Sequence, residues 1–289
     1  MEIAGLRHAA MTTTRVLTVL VMVAVVSPPA FGGTIGPNLG AAGSFGLLGD
    51  TISNTGTSVV VGNVGATTTI TGFPDGTATG SVYGAPGDPN VVAAYAAFVL
   101  AYNLADSNVT TPSTQSVADL TVNRSFLGNN VYTFPLTDVT STTGITLTFD
   151  AQNDSSQVFI IRTTRDLTIN GPLNFTLLNG AQADNIYWII GRTATISSGG
   201  GPVTWDGDIL AGTNFTMSAN PGGSGVLAGT INGCVFAETA NTLAGTTQVN
   251  GCSASASAVP EPGSLGLAAL GCLLGAFGPR AYRFLRQTR

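Results

Sequence analysis

The chain has 289 residues, of which 44% are hydrophobic and only 9% charged, and its formal net charge at pH 7 is −5. All ten basic residues are arginines and only four of them lie between residues 34 and 252, which argues against a nucleic-acid partner because phosphate binding needs clustered cations. A mean hydropathy of +0.33 is too high for a disordered chain, and 38 glycines with abundant threonine favour short strands and tight turns.

An apolar run near the start of the chain predicts export. Residues 16–26 are apolar apart from Thr18, follow Arg15 and precede the small and proline residues 27–33. Eleven residues are too few to span a bilayer but suit a secretory signal with a small-residue cleavage region between Ala30 and Gly33. We therefore predict a signal peptide at 1–33 and a secreted or cell-surface bacterial protein; a buried core helix is the alternative.

One segment in the first half predicts a helix. Asp88 is a good N-cap, Pro89 suits the first helical position, and residues 90–107 are alanine-rich without glycine or proline. Packing against an apolar surface is a better interpretation of its aromatic stripe than a ligand groove. The residues predicted to face the core are Val91, Tyr95, Phe98 and Tyr102, with Val92 and Val99 widening the stripe.

The later half contains an irregular repeat of about 21 to 27 residues, the length of one turn of a β-solenoid. An apolar strand (158–161, 186–190, 209–211, 234–236) precedes each threonine-containing segment (165–170, 193–197, 214–218, 240–244). With side chains alternating along a strand, Leu167/Ile169, Ala194/Ile196 and Phe215/Met217 point inward. The sequence thus predicts an all-β solenoid whose outward Thr168, Thr195, Thr216 and Thr242 form a column if the coils stack in register.

Two of the three cysteines lie in the predicted mature domain. Cys234 and Cys252 can pair in an oxidising compartment, although their spacing leaves the disulfide open, and Cys272 lies near the end of the chain. Two cysteines without a nearby histidine are too few for a zinc site, so we expect no metal and no cofactor.

The last 37 residues predict a linker and a sorting tail. Residues 253–258 alternate serine and alanine, and Val259-Pro260-Glu261-Pro262 leads into the apolar stretch 263–278 and four arginines. This order resembles the PEP-CTERM sorting signal of exopolysaccharide-producing bacteria, which implies an exosortase-type protease as a partner of 259–289 and exopolysaccharide as a further one. A plain C-terminal membrane anchor is the alternative.

Segments from Asn38 to Gly251 resemble, in order, the bacterial and fungal ice-binding protein family. They include residues 38–48, 62–65, 148–152, 185–188 and 207–211. The resemblance implies that 34–252 form a discontinuous right-handed three-sided β-helix with one long α-helix packed alongside. It also implies adsorption to ice through a flat face of threonine and serine. The implied ice-binding residues are Thr55, Thr57, Thr168, Thr193, Thr195, Thr216 and Thr242.

The residues also depart from the family pattern at several positions and leave other functions to consider. Thr55-Gly56-Thr57-Ser58 is close to the family's Thr-Ala/Gly-any-Thr/Asn pattern, whereas residues 197–202 and 218–221 depart from it. Arg165, Asp166 and Arg192 bring charge beside the column.

An adhesion or scaffold module without ice activity is the alternative function. The pairs Asp206/Asp208 and Asp150/Asp154 could be proposed as the paired carboxylates of a glycosidase, but turn-capping aspartates explain them better. We expect a monomer without enzymatic activity.

Overall fold

The computed structural model describes residues 34–107, 113–134, 137–197, 203–218 and 227–252. The predicted signal peptide 1–33, linker 253–258 and sorting tail 259–289 lie outside these residues. Within the described ranges, no helix is long and apolar enough to cross a membrane.

These ranges contain 21 short strands and one α-helix, α1 (Pro89–Asp106). In chain order the strands are β1 (Phe45–Asn54), β2 (Val59–Val60), β3 (Asn63–Thr71), β4 (Thr77–Ala78), β5 (Val82–Tyr83), β6 (Gln115–Ser116), β7 (Arg124–Leu127), β8 (Asn130–Thr133), β9 (Val139–Ser141), β10 (Ile145–Asp150), β11 (Phe159–Thr163), β12 (Leu167–Ile169), β13 (Leu173–Leu178), β14 (Ile186–Ile190), β15 (Ala194–Ser197), β16 (Val203–Asp206), β17 (Asp208–Ala211), β18 (Asn214–Ser218), β19 (Leu227–Asn232), β20 (Val235–Leu243) and β21 (Thr246–Val249).

Parallel pairing arranges these strands in the three-sided coils of a β-helix, as predicted. Successive strands occupy three faces in turn, and every pairing in the described residues joins a strand to its counterpart in a neighbouring coil. The helix-covered face comprises β6, β8, β11, β14, β17 and the first halves of β20, β1 and β3, ending in β5. The threonine face comprises β9, β12, β15, β18 and the second halves of β20, β1 and β3. The split face comprises β7, β10 and β13, followed by a separate ladder of β16, β19, β21, β2 and β4.

The β-helix is discontinuous because its first coils stack on its last one. β1 pairs with β20 from Leu47↔Val235 to Asn54↔Leu243, and β2 pairs with β21. At the opposite end, β9, β8 and β7 belong to the coil that follows α1. The chain therefore builds one end of the prism and crosses to the other along α1. It then returns coil by coil to close against its own beginning.

The helix α1 is the connection between the two ends, and it lies along the helix-covered face. The carboxylate of Asp88 accepts the backbone N–H of Asn90 (2.9 Å), and Pro89 occupies the first turn, as predicted. Eighteen residues span about 27 Å, enough to cross five to six coils at about 4.8 Å each. Its buried residues are Val91, Ala94, Phe98, Ala101, Tyr102 and Ala105. The predicted contribution of Val92 to this stripe is wrong, since its side chain is 51% exposed and points away from the sheet.

A buried arginine fixes the C-terminal end of this helix. Arg162 of β11 is 2% exposed, and its guanidinium donates to the carbonyl oxygens of Ala105 (3.2 Å) and Asp106 (3.3 Å) and to the hydroxyl of Thr133 (3.1 Å). Carbonyls in the last turn of a helix have no partner within the helix, and a cation there also interacts favourably with the helix dipole. The side chain therefore ties α1 to the sheet beneath it.

The interior consists of ladders of apolar side chains that repeat from coil to coil. Phe149 stacks on Phe126 (ring centroids 4.9 Å apart) and on Phe175 (5.9 Å), and Trp188 packs on Trp205 (4.6 Å). Such pairs add to the stabilisation that burial of the rings provides. A second apolar cluster lies between α1 and the helix-covered face, where Phe98 contacts Phe236 (5.5 Å).

The pairing of Cys234 with Cys252, which the sequence left open, is present in the structure. Cys234 and Cys252 form a disulfide. Cys234 directly precedes β20 at the edge where the split face meets the helix-covered face, called here the rear edge. The bond fixes the last described residue to the strand that joins the first and last coils.

Replacing both Cys234 and Cys252 by serine should lower the free energy of unfolding by about 3 kcal/mol. The reason is that the disulfide closes a loop with a sequence separation of 18 residues and restricts the unfolded chain. Urea unfolding followed by tryptophan fluorescence measures the change. Cys272→Ser is the control and should leave the midpoint unchanged; an equal loss in that variant would contradict the assigned pairing.

Candidate functional site

A column of short hydroxyl side chains runs along the whole threonine face. Strand pairing places Thr168 beside Thr195, Thr195 beside Thr216 and Thr216 beside Thr242, so the predicted column exists. The register continues at both ends, through Thr140 of β9 in one direction and through Ser53 and Thr71 in the other. The structure thus shows seven aligned rungs where the sequence predicted four. At the usual separation of paired strands they extend over about 29 Å.

Alternation along each strand explains why this column points outward. Leu167, Ile169, Ala194, Ile196, Phe215 and Met217 are all at most 1% exposed, as predicted, and the threonine between each pair lies on the opposite side of the strand. The threonines are half-buried by their neighbours in adjacent coils. Short β-branched side chains at this spacing hold each other in place, which makes the surface regular.

Two further rows of side chains flank the column, one displaced by two residues upstream along the chain and the other by two residues downstream. The upstream row, two residues before each rung, consists of Asp138, Asp166, Thr193, Asn214, Ala240, Thr51 and Thr69. The downstream row covers six of the seven rungs, with Thr142, Asn170, Ser197, Ser218, Ala244 and Thr55. After Thr71 the chain turns at Gly72, and Phe73 packs against the core. Rows along a strand are about 6.7 Å apart and rungs about 4.8 Å apart. The result is a rectangular grid of small side chains.

Within the three rows, the charged side chains are those of Asp138 and Asp166, at one corner of the grid. A further carboxylate, that of Asp50, lies directly upstream of Thr51 and accepts the hydroxyls of Thr67 and Thr68. The upstream carboxylates of Asp138 and Asp166 accept the backbone N–H groups of Asp166 (3.4 Å) and Thr193 (3.0 Å). They therefore cap the turn into the threonine face at the end built by β9, β12 and β15. Arg192 is exposed in the same turn and Arg165 is half-buried. The predicted charges are thus beside the column, while its seven rungs are neutral.

The remaining predicted site residues lie at the margins of the grid. Thr193 belongs to the upstream row, and its hydroxyl is hydrogen-bonded to that of Thr213 (3.1 Å). Thr55 extends the ladder one residue beyond β1, since its N–H donates to the carbonyl oxygen of Leu243 (2.9 Å). Thr57 lies in the turn to the split face, where its hydroxyl is hydrogen-bonded to that of Thr246 (2.9 Å). The structure therefore brings Thr55 and Thr193 to the same face as the column and places Thr57 at its border.

The other two faces are less suited to contact a flat surface. α1 covers the helix-covered face. The split face has its own threonine pairs, Thr148 beside Thr176 and Thr204 beside Thr230, which sequence reasoning missed. Its ladder is interrupted between β13 and β16, and exposed Leu127, Leu178 and Val59 stand among its threonines. Of the two faces that α1 does not cover, the threonine face is the one whose ladder is unbroken in the described residues.

Sequence reasoning also missed three rungs of the column. Thr140 could have been found, since Val139-Thr140-Ser141 alternates in the same way as the repeat segments. Ser53 and Thr71 could not, because they join the column only through the pairing of β1 with β20, almost 190 residues away in the chain.

The candidate carboxylate pair Asp206 and Asp208 does not form an open acidic site. The two residues flank Gly207, whose φ of +109° allows the sharp turn at the rear edge. The side chain of Asp206 accepts the Nδ2 of Asn232 (2.7 Å), and that of Asp208 accepts the backbone N–H of Cys234 (2.9 Å). Both are buried, and burial raises the pKa of Asp208 to about 7 and raises the pKa of Asp206. They are turn-capping groups, as the sequence favoured.

The second candidate pair, Asp150 and Asp154, also caps turns. Asp150 accepts the N–H of Gln152 (2.8 Å) and the Nδ2 of Asn179 (2.7 Å), and Asp154 accepts the N–H of Ser156 (3.0 Å). The side-chain hydrogen bonds, first from Asn179 and from the Ser156 hydroxyl, lower the pKa of each carboxyl. These carboxylates stay ionised and are already occupied by their own turns.

Residues 47–250 match the family model described as Ice-binding-like. An ice-binding protein of Nostoc sp. (strain HG1) is 32% identical over 185 residues, 62% of this chain and 64% of that protein, so the chain matches just under two thirds of that relative's length. Ice-binding protein K3-B1 of Typhula ishikariensis is 28% identical over 221 residues, 69% of this chain and 86% of that protein.

Solved structures share the fold over most of the described residues. The ice-binding protein of the Antarctic ascomycete Antarctomyces psychrotrophicus superimposes with a TM-score of 0.64 and 30% identity, covering 76% of this chain and all of that one. A domain of ice-binding protein 1 of Shewanella frigidimarina gives a TM-score of 0.61 at 21% identity, covering 76% of this chain and 99% of that one, which supports the fold alone.

Burial of Asp208 predicts a stability that falls as pH rises. Its pKa is about 7 in the folded chain and near 3.8 when unfolded, so the unfolded state loses its proton first and folding is increasingly opposed between about pH 4 and pH 7. Asp208→Asn should reduce this slope, to which the raised pKa of Asp206 also contributes, and raise stability at pH 8 by up to about 4 kcal/mol, with little effect at pH 4. Urea unfolding across this pH range measures it.

Asp150→Asn is the matched control with the opposite sign. Hydrogen bonding lowers the pKa of this exposed carboxyl, so the charged form stabilises the fold above about pH 4 and the amide should slightly weaken it there. A stability profile of Asp208→Asn that still falls from pH 4 to pH 7 by the wild-type amount would contradict the assignment.

Proposed function

Because the chain belongs to the ice-binding-like family, we propose that it adsorbs to ice through the threonine face and inhibits ice growth and recrystallisation. The observation that carries the proposal is the seven-rung column Thr140, Thr168, Thr195, Thr216, Thr242, Ser53 and Thr71 in continuous parallel register. The ice-binding residues inferred from the sequence lie in this column or beside it.

The physical basis is a repeat that is close to a repeat of the ice lattice. Backbone pairing fixes neighbouring rungs about 4.8 Å apart, so hydroxyl and methyl groups can hold water in a nearly crystalline arrangement. One threonine contributes little, because it exchanges one hydrogen bond to water for another. Many contacts made together by a rigid grid keep the protein adsorbed, and ice between adsorbed molecules must then grow as curved fronts, which lowers its freezing point.

The neutrality of the column supports this role. A charged side chain holds its own hydration shell and would disturb ordered water beside it. Asp138 and Asp166 restrict the neutral part of the upstream row to the five rungs from β15 to β3. The most uniform area of the grid is therefore centred on Thr242, with Thr216 and Ser53 on either side.

The context of the proposed function is extracellular. Residues 1–33 act as a signal peptide, 34–252 as the ice-binding domain, 253–258 as a linker, and 259–289 as a tail that an exosortase-type protease processes. The disulfide between Cys234 and Cys252 supports an oxidising compartment. The domain functions as a monomer without enzymatic activity, and exopolysaccharide is a further partner of the processed protein.

Replacing Thr195 and Thr216 together by arginine should abolish thermal hysteresis and the inhibition of ice recrystallisation. Two long charged side chains in adjacent rungs would break the flat grid at its centre. Both positions are half-exposed, so stability should change by no more than about 0.5 kcal/mol at each. Nanolitre osmometry and a recrystallisation assay measure the activity.

Thr148→Arg with Thr176→Arg is the matched control on the split face. These threonines are likewise adjacent in register and half-exposed, so the pair adds the same charge away from the proposed site. Their activity should equal that of the wild type. Loss of activity in this pair with retention in the Thr195/Thr216 pair would move the site to the split face. Absence of hysteresis in the wild type would leave the scaffold module as the function.

A further inference from the structure

We propose that the disulfide between Cys234 and Cys252 is a thiol-exchange site, in which Cys252 bonds to an external thiol and Asp208 transfers the proton of Cys234. The substrate is a small soluble thiol, or its disulfide in the reverse direction. The inference goes beyond ice binding and does not depend on it. It rests on the grouping of three side chains at the rear edge, on their unequal exposure, and on the acceptor that lies beside each sulfur.

Three groups that the proposed ice-binding function does not use meet at the rear edge. A carboxylate oxygen of Asp208 and the Sγ atoms of Cys234 and Cys252 all lie within 4.8 Å of one another. Asp208 begins β17 and Cys234 directly precedes β20, and these two strands pair from Ile209↔Val235 onwards. The backbone N–H of Cys234 donates to the carboxylate of Asp208 (2.9 Å), which holds the carboxylate beside the disulfide.

The two sulfur-bearing residues differ in their access to solvent. Cys234 is fully buried, whereas Cys252 is half-buried at the end of the described domain. The course of thiol–disulfide exchange depends on which sulfur the attacking thiolate can reach. An external thiolate can approach Cys252, so Cys252 is the residue that forms a mixed disulfide, and the buried Cys234 is the residue that resolves it.

Each sulfur has a hydrogen-bond acceptor beside it for the reduced state. Sγ of Cys252 lies 3.5 Å from the carbonyl oxygen of Phe45, at the start of β1. Sγ of Cys234 lies beside the carboxylate of Asp208. A thiol is a weak donor, and polar groups in a protein interior are normally paired. The site therefore accommodates the two thiols as well as the disulfide, since neither state leaves a sulfur without a partner.

The turn that Asp208 caps does not explain why this residue is an acid. An asparagine would accept the N–H of Cys234 equally well and would avoid the cost of burying a carboxylate. Asp208 is 3% exposed, and burial raises its pKa to about 7, with the negative charge of Asp184 acting in the same direction and the N–H of Cys234 opposing it. A carboxyl group with this pKa can both give and take a proton near neutral pH.

Three other titratable groups face Asp208. Tyr187 of β14 is in register with it, but burial raises the pKa of the Tyr187 hydroxyl, which therefore stays protonated near neutral pH. Asp184 lies in the short turn before β14 and acts on Asp208 through its charge. Asp206, two residues earlier in the chain, accepts the Nδ2 of Asn232 (2.7 Å). Asp208 is the carboxyl that lies beside the sulfurs and can exchange a proton with Cys234.

The exchange is balanced in both directions. During reduction an external thiolate attacks Sγ of Cys252 as the bond to Cys234 breaks, and the leaving Cys234 thiolate takes the proton of Asp208. A second external thiolate then attacks the external sulfur of the mixed disulfide. This step releases Cys252, which takes a proton from water, and leaves the two external thiols joined as a disulfide. The external pair thus supplies the two electrons.

Oxidation follows the same steps in reverse. The thiol of Cys252 first exchanges with a small disulfide, and one external thiol leaves. The carboxylate of Asp208 then takes the proton of Cys234, and the resulting thiolate attacks Sγ of Cys252 and displaces the second external thiol. An exported chain that arrives with reduced cysteines acquires its disulfide in this way.

The pH profile of reduction by dithiothreitol tests the role of Asp208. The full chain carrying Cys272→Ser, so that no third thiol takes part, is reduced in nonionic detergent, and alkylation followed by mass spectrometry gives the rate. Each rate constant is divided by the concentration of dithiothreitol thiolate. The resulting constant should fall about tenfold between pH 6 and pH 8, because the protonated fraction of Asp208 falls by that factor. In Asp208→Asn it should be the same at both pH values.

Asp206→Asn is the matched control, because it removes a second buried carboxyl from the same turn, and its profile should follow that of the parent chain. A purely structural role of Asp208 gives the opposite trend. The fold loses stability as pH rises, so reduction through local opening would become faster from pH 6 to pH 8. A parent profile that is flat or rises, an unchanged profile in Asp208→Asn or a flat one in Asp206→Asn would overturn the proton-transfer role.

Chains with one cysteine test which sulfur bonds to the external thiol. In the Cys272→Ser background, the Cys234→Ser chain should form a mixed disulfide with glutathione disulfide at least about tenfold faster than the Cys252→Ser chain. Mass spectrometry measures the product, and circular dichroism checks that both chains are folded at the assay temperature. Both chains lack the disulfide, so each is the control for the other. Equal rates, or a faster reaction at Cys234, would overturn the assigned roles.

Discussion

Parallel pairing of backbones between coils is the interaction on which the rest of this structure depends. It fixes the distance between rungs irrespective of the side chains, and it keeps the same residue of every coil on the same face. Apolar residues at alternate positions then fill the interior as continuous ladders, and the residues between them form straight outer rows. The same strand register therefore produces both the apolar ladders of the core and the outer grid of the threonine face.

The three faces are built from the same coils but differ in how much of each is a continuous, uncovered strand ladder. The helix-covered face is occupied by its own crossover, and the split face loses its ladder between β13 and β16. On the threonine face the charged groups are used at turns, where Asp138 and Asp166 satisfy backbone N–H groups. These two carboxylates lie at the edge of the face, which leaves its middle neutral and even.

The sequence patterns predicted those structural features that depend on residues close together in the chain. The helix with its Asp88 cap, the inward and outward residues of the repeats and the Thr168–Thr195–Thr216–Thr242 column follow from periods of 3.6 and 2. Features that depend on pairing between distant segments were not visible, including the rungs Ser53 and Thr71. Val92 was misplaced because both sides of an alanine-rich helix are apolar. Asn241 was also unexpected: it occupies an inward position, where its Nδ2 donates to the carbonyl oxygen of Leu48 (2.8 Å).

The pairing of β1 with β20 has a consequence for how this chain reaches its native state. Its partners are separated by almost 190 residues, so the entropic cost of closing that loop must be met before the contact yields any stability. Until β20 and β21 are available, the first coils expose an unpaired strand edge that can bind other chains. The β-helix is therefore complete only when its last coil has been synthesised. This favours slow folding and leaves a period in which the nascent chain can aggregate with other copies.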